Sequence, residues 1–197
     1  MARLAVFASG RGSNFVAIAQ GLRAAGRHSL ELLVCDRKTA PVFQRAAELD
    51  VPARYVTYQS RPRSEAEAEI LGHLRRAGIQ MVALAGFMRL LTPEFLRAFE
   101  GPIVNLHPSL LPRHAGTHGI EDSYQSGDRE MGISIIRVDD GVDTGPILLQ
   151  KAFPRHPADT LAQVEERIHA LEHAWFPRVV LEMLDRVDQG PTREEVS

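Results

Sequence analysis

Short apolar runs recur along the first half of the chain, each bounded by glycine, proline or charged residues. Runs of this kind are typical of strands buried on both faces of a parallel sheet. The segments between them carry apolar residues at three- and four-residue intervals, as amphipathic helices do. The pattern predicts strands at Arg3–Ala8, Leu30–Asp36, Ala53–Thr57, Met81–Ala85 and Ile103–Leu106, and helices at Phe15–Ala25, Val42–Leu49, Glu65–Ala77 and Pro93–Phe99. Strand and helix therefore alternate, which indicates an open α/β sheet with right-handed crossovers.

The rhythm changes after Asn105. A loop bounded by prolines, Pro108–Pro112, precedes a short helix predicted at Ile120–Gln125. Two further strands are predicted at Gly132–Val138 and Ile147–Phe153, where they can extend the sheet at one edge.

A long amphipathic helix is predicted at the end of the chain. We expect Asp159 to cap it and its apolar stripe to continue to Leu184, with Pro177 kinking the helix or splitting it in two. The residues after it are polar and predict a frayed tail at 189–197. No internal repeat or linker divides the rest, so residues 1–188 are expected to form a single domain.

Composition and charge exclude several kinds of protein. The 197 residues include 23 Lys and Arg against 25 Asp and Glu, a net charge of -2, which disfavours a dedicated nucleic-acid binder. Hydrophobic residues at 44% and charged residues at 24% are typical of a globular protein and exclude disorder for most of the chain. Small molecules are therefore the expected partners.

A single cysteine, Cys35, cannot close an internal disulfide, and the same count excludes cysteine-rich metal frameworks. The apolar run Leu4–Ala8 is too short for the core of a signal peptide. No stretch has the length needed to span a bilayer, so we expect no membrane association. The cytoplasm is the expected compartment.

The first candidate site is the loop Ser9–Asn14, which joins the first strand to the first helix. Its glycines allow a tight turn, and Ser13 is expected to cap the helix while backbone N–H groups face outward. Unpaired amides and the helix dipole favour an anion there, and a monophosphate suits the loop better than a dinucleotide, because the third glycine of that fingerprint is missing. A plain strand-to-helix turn is the competing interpretation.

The second candidate is Asn105-Leu106-His107, at the end of a predicted strand. Two-residue spacing places Asn105 and His107 on one face, at the sheet edge where open α/β folds bind ligands. An asparagine amide can stabilise an oxyanion, and a histidine can carry a proton near neutral pH. A purely structural role is the more frequent explanation for such a pair taken alone.

The third candidate is the acidic, turn-rich segment Asp139–Pro146. Asp139 and Asp140 are expected to serve the turn itself. Asp143 becomes interesting in combination, because a carboxylate beside His107 would orient the imidazole and favour its charged form. The glycines of the segment would let a flat ligand lie against the backbone.

Four motifs occur in one order along the chain: SGRGSN at Ser9–Asn14, AGFMRLL at Ala85–Leu91, NLHPSLLP at Asn105–Pro112 and DTGP at Asp143–Pro146. Together they resemble the phosphoribosylglycinamide formyltransferase family, within the folate-dependent formyltransferase superfamily. The likeness covers nearly the whole chain to about Leu184. It implies a Rossmann-like fold with a mostly parallel open sheet flanked by helices, a C-terminal extension and a long terminal helix.

The resemblance also implies a reaction, namely transfer of the formyl group of 10-formyltetrahydrofolate to the amine of glycinamide ribonucleotide in purine biosynthesis. Asn105 would stabilise the oxyanion, His107 would act as general acid and base, and Asp143 would tune His107. The substrate would be held by Gly12, Ser13, Asn14, His169, Ala170, Leu171 and Glu172. The folate would be held by Arg63, Met88, Arg89, Leu90, Leu91, Asn105, Asp139, Asp140, Gly141, Val142 and Asp143.

Several alternatives stay open. For Arg63, a solvated arginine at a helix start competes with a folate contact. The segment Arg113–Gly119 departs from the family pattern, so the sequence does not determine its conformation, nor that of Asp139–Gly145. It also leaves undecided whether His118 lies inside or outside the site. A second copy of the chain is a possible partner.

Other functions compete with this assignment. They are a formyltransferase for methionyl-tRNA or a sugar nucleotide, a formyl hydrolase, and a noncatalytic folate or nucleotide binder. Length and charge disfavour the tRNA enzyme. A helical pair, His169 and His173, has the spacing of zinc ligands but lacks a third ligand, so no metal is expected.

Overall fold

The computed structural model describes residues 1–190. Seven strands are formed: β1 Arg3–Phe7, β2 Ser29–Cys35, β3 Ala53–Tyr55, β4 Met81–Leu84, β5 Ile103–His107, β6 Glu130–Arg137 and β7 Ile147–Pro154. Six helices accompany them: α1 Ser13–Ala25, α2 Val42–Glu48, α3 Arg63–Arg76, α4 Pro93–Ala98, α5 Gly119–Gln125 and α6 Leu161–Gln189. The predicted alternation is confirmed, with strand ends differing by one or two residues in most cases.

All seven strands belong to one sheet with the order β3-β2-β1-β4-β5-β6-β7. The first five run parallel, while β6 and β7 are antiparallel to their neighbours. The predicted extension at one edge is therefore confirmed. The order reverses between β1 and β4, and at such a switch point the loops leaving neighbouring strands diverge and open a crevice at their carboxyl ends.

Both faces of the sheet are covered, which explains why its central strands lack an alternating pattern. On one face, Leu4 and Val6 of β1 lie in a core shared with α1 and α6. On the other face, Ala5 and Phe7 lie in a core shared with α3 and α4. Since neighbouring residues of a strand point to opposite faces, β1 must be apolar at every position to serve both cores.

The terminal helix differs from its prediction at both ends and in its middle. Its N-cap is Thr160 rather than Asp159, because the Thr160 hydroxyl accepts from the backbone of Gln163 while the Gln163 side chain accepts from Thr160 N–H, a capping box. Asp159 instead accepts from Arg167 at 2.9 Å.

The same helix is not split at Pro177 and continues to Gln189, five residues beyond the predicted end at Leu184. Gln189 therefore belongs to the helix, and Gly190 follows it as the C-cap. The rest of the predicted tail, 191–197, lies outside the described residues. Among residues 1–190, no helix has both the length and the apolar character needed to cross a bilayer.

Candidate active site

A cleft of about 810 Å³ opens at the carboxyl ends of β1, β4 and β5, where the strand order reverses. Its walls come from the loop after β1, the loop after β4, the end of β5, the segment between β6 and β7, and one face of α6. The motifs at Ser9–Asn14, Ala85–Leu91 and Asn105–Pro112 therefore meet in one place, as expected for parallel strands that end at the same edge.

The loop after β1 forms one end of this cleft. Gly12 has a φ of 78°, and a Cβ built on it would collide with the Val42 side chain, so both conformation and space require glycine here. Helix α1 begins at Ser13 with Gly12 as its N-cap and no side-chain cap. The expectation that Ser13 caps the helix was wrong, since Ser13 is already the first helical residue. The first-turn N–H groups are left without a side-chain cap, in the position that suits an anion.

Helix α6 supplies the opposite side of that end. The Asn14 side chain donates to the Glu172 carboxylate at 3.0 Å, and His169 Nδ1 lies 3.0 Å from the same oxygen. Glu172 is buried, although it is charged, while the His169 side chain is about half exposed. The hydrogen bond to Glu172 raises the pKa of His169 above its usual value, with burial and Arg11 acting in the opposite sense.

Not every predicted residue of α6 reaches the cleft. His169 and Glu172 line it, and so does His173, which the sequence reasoning did not assign to the substrate. Ala170 is exposed and Leu171 packs against the core, and neither lines the cleft, because the helix turns them away from it. A helical period would have predicted this, since residues three and four apart share a face.

Asp143 is the convergence point at the middle of the cleft. One of its carboxylate oxygens accepts from the Asn105 side chain at 3.2 Å, and the other lies 3.3 Å from His107 Nδ1. The second oxygen also accepts the backbone N–H of Gly116 at 3.0 Å. The three residues predicted to act together are therefore in contact, although 38 positions separate Asn105 from Asp143.

His107 is almost completely buried, and both of its ring nitrogens face acceptors. Nδ1 faces Asp143, and Nε2 lies 2.8 Å from the backbone oxygen of His114. The backbone groups of His114 and Gly116 were not predicted, and no residue type could have revealed them, because a backbone group carries no sequence signal.

The segment Arg113–Gly119, which departs from the family pattern, is held by contacts with Asp128. The His114 ring lies 3.0 Å from Asp128, which also pairs with Arg113 at 3.0 Å. Gly116 and Thr117 line the cleft. His118 is exposed, its Nδ1 lies 3.0 Å from the Thr117 hydroxyl, and it does not line the cleft.

The far end of the cleft has apolar edges. Met88, Leu90 and Val142 are large hydrophobic side chains that are nonetheless 45–56% exposed, a cost that a flat ligand could remove by covering them. The other folate candidates, Arg63, Arg89, Leu91, Asp139, Asp140 and Gly141, line the same end. Arg63 is the first residue of α3.

Asp139 serves its own turn, as expected. It accepts from Gly141 N–H at 3.0 Å and from the Thr144 hydroxyl at 2.7 Å. Asp143 adopts a positive φ of 55°, a rare conformation outside glycine, and its side chain is 11% exposed. The turn therefore directs Asp143 inward while the exposed Val142 remains at the mouth.

Among residues 1–190, no cluster of three or more histidine, cysteine or acidic side chains could hold a metal ion. His169 and His173 stack with their ring centroids 6.4 Å apart.

The fold is an open α/β sheet, and its cleft combines the uncapped N-terminus of α1, a buried Asn-His-Asp centre and an end with exposed apolar side chains. The formyl transferase family matches residues 2–180. The chain is 41% identical over 192 residues to a phosphoribosylglycinamide formyltransferase of Bacillus subtilis. The aligned residues are 96% of this chain and 98% of that protein. A crystal structure of glycinamide ribonucleotide transformylase 1 from Geobacillus kaustophilus superposes with a TM-score of 0.89 at 45% identity, covering 93% and 99% of the two chains.

A longer relative contains the same unit. A trifunctional purine biosynthetic protein of Drosophila melanogaster is 38% identical over 182 residues, which are 90% of this chain and 14% of that protein. The chain belongs to the formyl transferase family and is a folate-dependent formyltransferase. The resemblance inferred from the four motifs and the Rossmann-like fold expected from it are confirmed.

Proposed function

We propose that this enzyme transfers the formyl group of 10-formyltetrahydrofolate to the amine of glycinamide ribonucleotide, a step of purine biosynthesis. The observation that carries the proposal is the convergence of Asn105 and His107 on Asp143, between an anion loop and an apolar subsite. The Bacillus subtilis and Geobacillus kaustophilus relatives are a phosphoribosylglycinamide formyltransferase and a glycinamide ribonucleotide transformylase, which supports the proposal. Residues 1–188 would act as one formyltransferase unit.

The nucleotide would bind at the β1 end of the cleft. Its phosphate would accept from the backbone N–H groups at Gly12, Ser13 and Asn14, where the dipole of α1 favours negative charge. Glu172, held by Asn14, would face the glycinamide portion, and its negative charge suits an amine. His169 would add positive charge near the phosphate. Ala170 and Leu171 drop out of this proposal because they do not line the cleft.

The folate would occupy the other end. Its pteridine ring would lie between the 88–91 loop and the 139–143 loop, covering Met88, Leu90 and Val142. Backbone groups of the two loops would read the ring edge, and Arg63 would meet the acidic tail. In this arrangement the formyl carbon would lie near Asn105.

The chemistry needs no group beyond the two substrates and the three side chains. The amine attacks the formyl carbon, and the tetrahedral oxyanion accepts from the Asn105 amide, whose second hydrogen stays on Asp143. The bond from the formyl carbon to the folate nitrogen then breaks. His107 carries a proton from the new ammonium to that departing nitrogen, with Asp143 holding its other ring nitrogen.

This role sets a requirement on His107. Asp143 holds Nδ1, so Nε2 must exchange the His114 carbonyl for the reacting nitrogen atoms. The segment that carries His114 lines the same cleft at Gly116 and Thr117. Substrate binding would therefore displace this segment from the imidazole.

The competing functions lead to different products. A hydrolase would release formate without an amine acceptor, and a formyltransferase for tRNA would need a nucleic-acid surface for which the charge of -2 provides no surplus. A noncatalytic binder would have no use for a buried proton carrier such as His107. The cytoplasm stays the expected compartment, because a chain whose single cysteine is Cys35 cannot close an internal disulfide. A homodimer stays a prediction.

The test is formation of formylated glycinamide ribonucleotide by purified protein, followed by mass spectrometry. His107→Ala is expected to lower kcat about 100- to 10,000-fold, because a positioned acid-base group is lost. His156→Ala is the matched control, since His156 is exposed and does not line the cleft. Near-normal turnover by His107→Ala would refute the mechanism, and release of formate alone would refute the transfer.

A further inference from the structure

A buried carboxylate lies under the loop that follows β4 and takes no part in the mechanism above. Asp36 directly follows β2, and its side chain is only 1% exposed. Its two oxygens have different partners. One accepts the Ser9 hydroxyl at 2.5 Å, and the other pairs with Arg89 Nε at 2.7 Å.

Both partners connect Asp36 to the same loop. The Ser9 hydroxyl donates to Asp36 and accepts the backbone N–H of Met88 at 2.9 Å. Arg89 is the next residue, and its guanidinium also lies over the ring of Tyr58 at 5.2 Å. One carboxylate therefore fixes the main chain at Met88 and the side chain at Arg89.

The loop alternates between anchored and exposed residues. Phe87 is buried and packs edge-to-face with Phe7 at 5.3 Å, whereas Met88 and Leu90 are 49% and 56% exposed at the cleft. Arg89, between them, is anchored by Asp36. Anchoring Phe87 and Arg89 thus sets where Met88 and Leu90 stand.

The end of the loop is held by a second buried carboxylate. Glu67 of α3 is 3% exposed and accepts the backbone N–H of Thr92 at 3.1 Å, as well as the Thr92 hydroxyl. The loop between β4 and α4 is therefore tied down on both sides of Met88–Leu91.

The burial of Asp36 is better explained by the position that it gives the loop after β4 than by a gain in stability. Removing a carboxylate from water is costly, and the pair with Arg89, whose side chain is 38% exposed, recovers that cost only in part, so an apolar residue would often serve stability equally well. What a buried charge with directional partners provides is one defined arrangement of the groups that it bonds.

We infer that Asp36 is a positioning residue that sets affinity for the folate, by holding the Met88–Leu91 wall of its subsite through Ser9 and Arg89. It bonds the Ser9 side chain at the start of the Ser9–Asn14 loop but touches neither the reacting atoms nor the Gly12–Asn14 amides that would hold the phosphate. The inference rests on the proposed function, because it takes that wall to be the folate subsite. Loss of Asp36 should therefore raise the KM for formyl folate and leave kcat and the nucleotide KM nearly unchanged.

The test compares wild type with Asp36→Asn, which keeps the size of the side chain and removes its charge. We expect the KM for 10-formyltetrahydrofolate to rise about tenfold, since a charge-assisted hydrogen bond is lost, while kcat and the nucleotide KM change less than about twofold. The control is Asp185→Asn, because Asp185 also pairs with an arginine, Arg27 at 2.9 Å, at the other end of the molecule. An unchanged folate KM in Asp36→Asn overturns the inference, and so does an equal rise in both KM values.

A double-mutant comparison tests the route through Arg89. Asp36→Asn in an Arg89→Gln background should raise the folate KM by a smaller factor than in wild type, because the part of its effect that runs through Arg89 is already lost and residues that act through one contact are not additive. Fully additive effects overturn the inference. If Asp36→Asn does not fold, Ser9→Ala replaces it, since this change removes the acceptor of Met88 N–H and leaves the ion pair. A folate KM equal to wild type in Ser9→Ala then overturns the inference.

Calorimetric titration with 10-formyltetrahydrofolate separates this inference from the proposed function. Folate binding by wild type, weakened about tenfold in Asp36→Asn, supports the role of Asp36 even if no formyl group is transferred, in which case only the proposed reaction fails. Equal binding by the two proteins overturns the inference even if wild type is an active transferase. Absence of folate binding by wild type overturns both.

Discussion

The centre of the cleft and its β1 end are built in different ways. The centre consists of two side chains, Asn105 and His107, around the Asp143 carboxylate, with His107 almost fully buried and an acceptor near each of its ring nitrogens. The β1 end consists of main-chain amides at the start of α1, which face the buried Glu172 and the half-exposed His169 of α6. Side chains can be removed one at a time, whereas backbone amides can be altered only by moving the chain.

The difference teaches what each end is suited for. A buried, directional network holds a few atoms in one arrangement, which a transition state needs. A helix N-terminus with solvent access attracts an anion from several directions and tolerates small shifts. We therefore expect changes at the centre to act mainly on kcat, and changes at the β1 end to act mainly on the nucleotide KM.

The largest effect after His107→Ala is expected from Asn105→Ala. It removes the oxyanion donor, so kcat should fall about 100- to 1,000-fold, while both KM values change little. Steady-state kinetics with each substrate varied in turn measures this. Asp143→Ala alone and combined with Asn105→Ala completes the comparison, because a double variant no slower than Asp143→Ala would mean that Asn105 acts only by holding Asp143.

An intermediate effect is expected from Gly12→Ala. The substitution forces a positive φ on alanine and brings a methyl group into Val42, so the protein should lose about 1 to 3 kcal/mol of stability and bind the nucleotide more weakly. Thermal unfolding and the nucleotide KM are the measurements. Gly26→Ala is the matched control, because Gly26 ends the same helix at φ 63° with no atom near its missing Cβ. Equal effects of the two changes would contradict the steric argument.

The smallest effect is a pH dependence at the β1 end. Glu172 raises the pKa of His169, so the ring keeps its positive charge to a higher pH than a free histidine, and the charge is lost as the pH rises through that pKa. The nucleotide KM of wild type should therefore rise more between about pH 6 and about pH 9 than that of His169→Gln. The variant is needed for comparison because a phosphate itself titrates near about pH 6. Parallel pH profiles would remove His169 from the phosphate site.

The same pair contributes to stability in a defined direction. Because the folded pKa of His169 is raised, its contribution is fully present below the pKa of the unfolded chain and is lost as the pH rises through the folded pKa. The ring is about half exposed, so solvent screens the interaction and the change should be small.

Much of the fold could be predicted from local pattern. The apolar runs of β1 and β4 reflect burial on two faces, and the helical spacing of α1 and α3 reflects burial on one face. Each kind of burial leaves its own period of apolar residues in the sequence. The errors fell where local chemistry allows two answers. Thr160 and Asp159 can both cap a helix, and the choice depended on which side chain reached the backbone of Gln163.

The site could be predicted only in part. The motifs pointed to Asn105, His107 and Asp143, and their contact was expected. The backbone contributions of His114 and Gly116 and the orientation of Ala170 and Leu171 away from the cleft were missed. The role inferred for Asp36 was equally invisible, because an aspartate after a strand looks like any polar strand end.

The sequence by itself determined the order of strands and helices, the glycine of the anion loop and the identity of the chemical groups, because period and residue type are local properties. Only the tertiary structure decided which groups meet. Asp36 reaches Arg89 across 53 positions and Asp143 reaches Asn105 across 38, and such distances close only when the strands have taken their places in the sheet. Burial then follows from the same packing, and burial makes each contact directional and costly to leave unmade.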